Sequence, residues 1–172
     1  MKVYDGSTET GSEPKQERLK VGIAEYEVTT SGADLTTSGL GSCLGVAMYD
    51  DVAGVAGLVH VMLPSAAEVD DANKAKFADT GIELLVEEME REGAAKRRIE
   101  AKIAGGSDML DFSENGSGIG VRNTEQVEAT LAELGIPIVS RDVGGDHGRS
   151  LRLDGNSGDL TVKSANKGSQ VI

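Results

Sequence analysis

The sequence predicts an α/β layered sandwich with largely antiparallel sheet and two main helices. Three observations carry that expectation. The apolar runs LGVAMYD and GLVHVML flank a turn-rich DDVAG; the segments 73–92 and 123–134 switch to helical spacing; the other apolar runs are short and bounded by Gly, Pro, Asn and Asp. The resulting order, β–ββ–α–β–α–β–ββ, mixes hairpins with helices, and hairpins belong to antiparallel sheet. A chain of 172 residues suits one well-buried domain better than two.

Residues 1–18 hold Gly, Ser, Thr, Glu and Lys with almost nothing to bury, so a disordered acidic and polar tail is expected, followed by one domain over 19–172. Val21–Val28 is rich in strand formers and stops at the turn-like TTSGAD, making the first strand. The two apolar runs after it form a β-hairpin. A four-residue loop at Asp50–Ala53 sets Cys43 opposite His60 on one face; a five-residue loop that includes Gly54 shifts the register by one and parts them. The sequence allows either loop.

Over Asn73–Glu92, Ala78, Ile82, Leu85 and Met89 form an apolar stripe on a charged helix, with Asp70 or Asp71 to cap it and Gly93 to end it. RRIEAKIAGG reads as a strand running into a glycine loop, GGSDMLDFSENGSG as a long loop, and IGVRN as a short extended piece. Asn123 with Gln126 has the form of a capping box opening a second helix. Val127, Leu131 and Leu134 are its buried stripe, and Gly135 with Pro137 stops it. IPIVSRDVGG is a further strand, and LRLDGNSGDLTVKS a terminal hairpin around DGNSGD.

Composition excludes several functions. The 29 acidic against 17 basic residues give a net charge of −12, which repels phosphate backbones and anionic lipid. With two Phe, three Tyr and no Trp there is also no base-stacking platform, so no nucleic-acid partner is expected. Such acidity, with small core residues, suits solubility at high salt and a halophilic source. The single Cys excludes an intramolecular disulfide, and no Cys/His cluster has zinc-ligand spacing, so no metal is expected. No stretch approaches the roughly 18 apolar residues of a membrane span, and the N-terminal residues lack a signal-peptide core; the expectation is a cytoplasmic protein without membrane insertion. Gly39, Gly41 and Gly45 follow G-x-G-x-x-x-G, which is not a dinucleotide fingerprint, and no G-K-[ST] ending exists, so no cofactor is expected.

Cys43 is the residue most open to chemistry. A free Cys often packs as a small hydrophobe. Here, however, it lies in GLGSCLG at a loop-to-strand junction, where backbone N–H groups are free to hold a developing oxyanion, and the hairpin makes His60 its candidate cross-strand neighbour. Gly39 and Gly41 let backbone approach a substrate beside the thiol. His147, in GGDHGR, is the competing base, read as solvated or packed on the preceding glycine turn. Thr36 and Thr37 lie on the approach to the Cys, where a hydroxyl can orient an imidazole. No Glu/Asp pair stands out among the acids of the solvated helix faces.

The blocks TSGLGSCLGVAMYD (37–50), AGLVHVMLP (56–64), AKIAGG (101–106) and IGVRN (119–123) together resemble the chemoreceptor glutamine deamidase family, CheD, over about Val21 to Val162. The resemblance implies an α/β sandwich and an amidohydrolase that converts glutamines on the cytoplasmic helices of chemotaxis receptors to glutamate. It places the family's Cys–His–Thr constellation at Cys43, His60 and Thr37. It also implies a CheC-type phosphatase as partner, and a non-catalytic or dual-role adaptor as the alternative function. Leu110 stands where the family can carry an aromatic implicated in phosphatase contact. The chemistry agrees: a carboxamide is a poor electrophile, so its hydrolysis needs a thiolate nucleophile, a proton donor for ammonia and an oxyanion site. On this resemblance Cys43 is expected to supply the first and His60 the second. Thr37 is expected to hold the ring or the substrate amide, and the backbone at Gly41, Ser42 and Cys43 to face the substrate and its oxyanion.

Overall fold

The computed structural model describes residues 17–68, 72–108 and 118–172. In chain order its strands and helices begin with β1 (Arg18–Lys20), β2 (Tyr26–Thr29), β3 (Asp34–Leu40), β4 (Leu44–Asp50), β5 (Val55–Val61) and α1 (Ala78–Arg91). They continue with β6 (Glu100–Gly105), α2 (Ile119–Leu134), β7 (Ile138–Val143), β8 (Arg149–Leu153), β9 (Leu160–Ser164) and β10 (Gly168–Val171). Two five-stranded sheets result, ordered β1-β3-β8-β9-β10 and β2-β5-β4-β6-β7. Of the strand pairs among the described residues only β1–β3 and β6–β7 run parallel, beside an isolated parallel bridge between Leu63 and Phe77, so the expected largely antiparallel sandwich is found.

The second sheet is the middle layer. One face carries Leu44, Val46, Met48, Val55, Val59, Val61 and Ile103 against Ile82, Leu85, Met89, Val127 and Leu131 of the helices. The other carries Ala47, Ala56, Leu58 and Ala104 against Leu35, Leu40, Leu151, Leu153, Leu160 and Val162 of the first sheet. Large side chains thus meet helices, and mostly small ones meet the neighbouring sheet. Burial on both faces explains why these strands read as nearly continuous apolar runs rather than alternating ones.

The hairpin register differs from both expected forms. Asp50 pairs with Val55 and Gly45 with His60, so the loop is Asp51–Gly54. The cause is Asp50 itself. Its carboxylate, fully buried, accepts the N–H groups of Val52 and Ala53 at 3.1 Å, while its carbonyl takes that of Gly54, which closes the loop at φ 69°. The same carboxylate accepts Ala95 N–H at 2.8 Å and pairs with Arg98. Burial disfavours the anion, but the Arg98 guanidinium and the Ala95 and Ala53 N–H groups outweigh it and hold the carboxyl at about 2.

Other elements depart from the sequence reading for tertiary reasons. The expected strand Val21–Val28 is interrupted by a turn at Gly22–Glu25, and the stretch before Cys43, expected as a loop, is the strand β3. β1 already includes Arg18, while residues 1–16 and the expected caps Asp70 and Asp71 lie outside the described residues. The stripe of α1 is buried as expected, but the helix starts at Ala78 after a 3-10 turn at Lys74–Lys76 capped by Asn73. IGVRN is not extended: it opens α2, and Asn123 lies inside the helix, not at its cap. There the helix start rests directly on the loop after β6. A Cβ on Gly120 would overlap the carbonyls of Gly106 and Ser107, and Asp108 accepts the Gly120 N–H at 3.1 Å. A remote carboxylate therefore does the work of a local cap. Gly135, left-handed, ends α2 where expected.

Removing Asp50 leaves Arg98 unpaired and three N–H groups without their acceptor. Asp50→Ala is expected to lower the stability by about 3 kcal/mol in urea denaturation at neutral pH; a loss under about 1 kcal/mol would contradict the role given to this carboxylate.

Candidate active site

The chain leaves the first sheet at the end of β3 and enters the second at the start of β4, crossing through Gly41, Ser42 and Cys43. A bulge at Ser38–Gly39, with Gly39 at φ 75°, lets both Thr37 and Leu40 point inward. The crossing hangs on three successive carbonyls. Gly41 O accepts Ser107 N–H at 2.8 Å, Ser42 O accepts the Asn123 side-chain amide at 2.9 Å, and Cys43 O accepts Gly106 N–H at 2.9 Å. Gly105, at φ 118°, admits this approach, since a Cβ there would strike Cys43 O. With the carbonyls engaged, neither the Ser42 nor the Cys43 N–H donates to another described residue.

His60 is fully buried, on the face of β5 that meets the first sheet. Its Nδ1 lies 2.8 Å from Thr37 Oγ1, and the Thr37 hydroxyl lies 2.8 Å from the carbonyl of Val21. A hydroxyl has one proton. Because the Val21 carbonyl can only accept, Thr37 donates to it and accepts the Nδ1–H of His60, which assigns the tautomer with a bare Nε2. That Nε2 has no hydrogen-bond partner among the described residues. The segment Val21–Glu25 fixes both ends of this chain: Val21 N–H donates to Thr36 O, Ala24 N–H to His60 O, and His60 N–H to Glu25 O. Ala24 holds the turn in a left-handed conformation at φ 62°, which costs on the order of 1 kcal/mol for a residue with a Cβ.

Cys43 is half-buried against the inter-sheet cluster that also borders His60. It is not the direct cross-strand partner of His60. Gly45, two residues on, occupies that position, so the thiol stands one step further along the same face. Burial raises the Cys43 thiol above its ordinary value, opposed by its own N–H, and burial lowers His60 to about 4. At neutral pH both groups are therefore uncharged. The region holds a thiol, a neutral imidazole in one tautomer and N–H groups with no acceptor among the described residues, the group types that covalent attack on a carbonyl carbon requires.

Residues outside the expected set support the crossing. Arg149, 4% exposed, donates to Ser107 Oγ at 2.9 Å, to Gly144 O at 2.9 Å and to Gly105 O at 3.3 Å, and pairs with Asp142 at 3.2 Å. It holds the strip on which the Cys43 crossing hangs. The signal was present in the sequence: Arg149, Leu151 and Leu153 share one parity of β8, and all three are buried. Asn123 is likewise fully buried. The ring of His147 lies against Gly145, and its carbonyl accepts from Ser107 Oγ at 2.6 Å. Leu110 lies outside the described residues. Among the described residues, no group of three or more His, Cys, Asp and Glu could hold a metal ion, and no helix is long and apolar enough to cross a membrane.

The sandwich therefore carries a half-buried thiol at a crossing between its sheets and a buried neutral imidazole on the inter-sheet face, group types that covalent acyl chemistry uses. Known proteins narrow the class. The family described as CheD chemotactic sensory transduction matches residues 62–164. A protein of Haloarcula marismortui named probable chemoreceptor glutamine deamidase CheD is 64% identical over 96% of both chains. One of Caldanaerobacter subterraneus with the same name is 48% identical, covering 90% of this chain and 97% of its own. The chemoreceptor glutamine deamidase CheD of Halalkalibacterium halodurans is 42% identical, covering 90% and 98%. This chain belongs to the CheD family.

The buried imidazole links stability to acid. Folding favours neutral His60, whereas the unfolded ring takes a proton below its ordinary 6.5. Its contribution is complete above that value and is lost as the pH falls toward 4, on the order of 3 kcal/mol in all. Urea midpoints of wild type and His60→Gln across this range should converge as the pH drops; parallel curves would contradict the burial of a neutral ring.

Proposed function

We propose that this protein is a cysteine-dependent amidohydrolase that deamidates glutamine side chains of chemotaxis receptors to glutamate. The observation that carries the proposal is the hydrogen-bond chain from His60 Nδ1 through Thr37 to Val21, which leaves Nε2 bare on the face where Cys43 lies. The names of the relatives supply the substrate class.

In this mechanism Cys43 Sγ attacks the glutamine Cδ while Nε2 of His60 takes the thiol proton. Thr37 keeps the ring oriented and receives the Nδ1–H of the transient imidazolium. The N–H groups of Ser42 and Cys43 receive the oxyanion, with Gly41 giving the substrate room. As the tetrahedral adduct collapses, Nε2–H passes its proton to the departing nitrogen and ammonia leaves a thioester. Water then attacks that thioester, giving one proton to Nε2; the proton returns to the thiolate, releasing glutamate and the starting enzyme. Because both groups rest uncharged, the thiolate forms during attack and not before it.

Further parts of the proposal rest on the family: receptor cytoplasmic helices as substrate, a CheC-type phosphatase as a second partner competing for the same protein, and a place in the cytoplasm. The net charge of −12, with a relative from a halophile, supports work at high salt. Raising KCl from about 0.1 to about 1 M shortens the screening length from about 10 to about 3 Å, so the thermal midpoint is expected to rise. A flat or falling midpoint would count against the halophilic reading.

Incubation with a receptor cytoplasmic fragment, followed by intact-mass analysis and peptide mapping, tests the reaction. Wild type should convert mapped glutamines to glutamate and Cys43→Ala none; Thr37→Val should lower kcat by about 10²-fold. The acid limb of kcat/KM should fall near 4, where His60 takes a proton, with activity present above it. Conversion by Cys43→Ala would refute the nucleophile. No conversion of a folded, bound receptor fragment would favour the adaptor reading, in which phosphatase or receptor binding survives without Cys43.

A further inference from the structure

Asn123 occupies a position where folding alone asks for an apolar residue. It belongs to the inward stripe of α2 with Val127 and Leu131, at spacings of one turn, and like them it is fully buried. Asn is a poor helix former, and a buried amide is costly unless all its hydrogen bonds are made. Here they are not. Nδ2 gives its two protons to Ser42 O and Met62 O, each at 2.9 Å, and Oδ1 has no partner among the described residues.

The two carbonyls it reaches explain its presence. Ser42 O belongs to the peptide group that carries the Cys43 N–H, and in a planar trans peptide the two point in opposite directions. Drawing Ser42 O inward onto α2 turns the Cys43 N–H away from the core, where no described residue accepts it. Met62 O lies two residues beyond His60, just past the end of β5. One amide thus ties the thiol-bearing crossing to the strand that carries the imidazole.

We propose that Asn123 is a positioning residue that aims the Cys43 N–H as the oxyanion donor, an inference that rests on the deamidase reading above. Its loss leaves the thiol and imidazole in place while misdirecting the donor. Asn123→Leu, similar in shape and apolar, tests this beside Asn123→Ala, which serves if the larger side chain prevents folding. Three quantities are compared with wild type: kcat and KM on the receptor fragment, the rate of Cys43 alkylation by iodoacetamide across pH, and the Cys43 amide resonance in a 15N spectrum.

The expected result is a kcat reduced by about 10²-fold with KM unchanged, an alkylation rate and pH profile like wild type, and a displaced or broadened Cys43 resonance. Alkylation needs the thiol but no oxyanion donor, so it separates the two roles. An unchanged kcat overturns the inference, as does a parallel fall in kcat and alkylation, which would place Asn123 behind the thiol or the fold. If wild type is alkylated at Cys43 yet converts no glutamine, the deamidase reading has failed separately. The resonance then decides: displaced in the variant it supports the positioning role, and unmoved it overturns it.

Discussion

The hydrogen bond from His60 to Thr37 joins two sheets that share no strand ladder, and it can form only because those sheets come close together. Closeness is a matter of side-chain size. Opposite His60 stands Gly45, and around it Ala47, Ala56 and Ala104 keep the facing surface of the middle sheet low. Leu151 of the first sheet fills the space above Gly45, so nearly the whole volume of a Cβ is already occupied. The larger residues of the same strands lie on the other face, against the helices. Packing thereby decides where a polar pair can be buried, and the Val21 carbonyl completes its hydrogen bonding so that the burial is tolerated.

Burial also determines the resting charge of the site. A thiol and an imidazole exposed to water exchange protons readily with solvent; here the same low-dielectric surroundings raise one and lower the other, and the uncharged state of both is favoured. Asp50 shows the opposite outcome under equally complete burial. Arg98 and several backbone N–H groups surround it, so its charge is retained. The difference lies in the partners supplied, not in depth: Asp50 has the donors that hold a charge, and His60 does not.

Much of the architecture was legible in the sequence because it followed local rules. The α1 stripe and the Gly135 stop of α2 needed only helical period and a left-handed residue. β4 and β5 were legible as continuous apolar runs. What escaped depended on distant groups. The hairpin register answers to Asp50, whose carboxylate is engaged by Ala95 and Arg98 from beyond α1. β3 was hidden by its own bulge, since Gly39 breaks the alternation that would have revealed Thr37 and Leu40 as inward residues. Asn123 looked like a cap because a cap and a buried carbonyl clamp use the same short amide. Cys43, His60 and Thr37 came from the motifs, yet the order of hydrogen bonds among Val21, Thr37 and His60 became readable only when the two sheets were placed together.

The crowding at Gly45 also bears on how this chain can drift over evolutionary time. At Gly45 a single added methyl must displace Leu151, the residue paired with Thr37, and so bears on the spacing that brings His60 to Thr37. Substitution at Gly45 is confined to the smallest residues, although Leu58 and His60 share its face. The helix-facing row has a crowded glycine of its own, since a Cβ on Gly57 would lie 2.8 Å from Leu85 and 3.0 Å from Met89 of α1. Both faces of the hairpin thus limit change at a glycine, but only at Gly45 does that limit reach the spacing between His60 and Thr37.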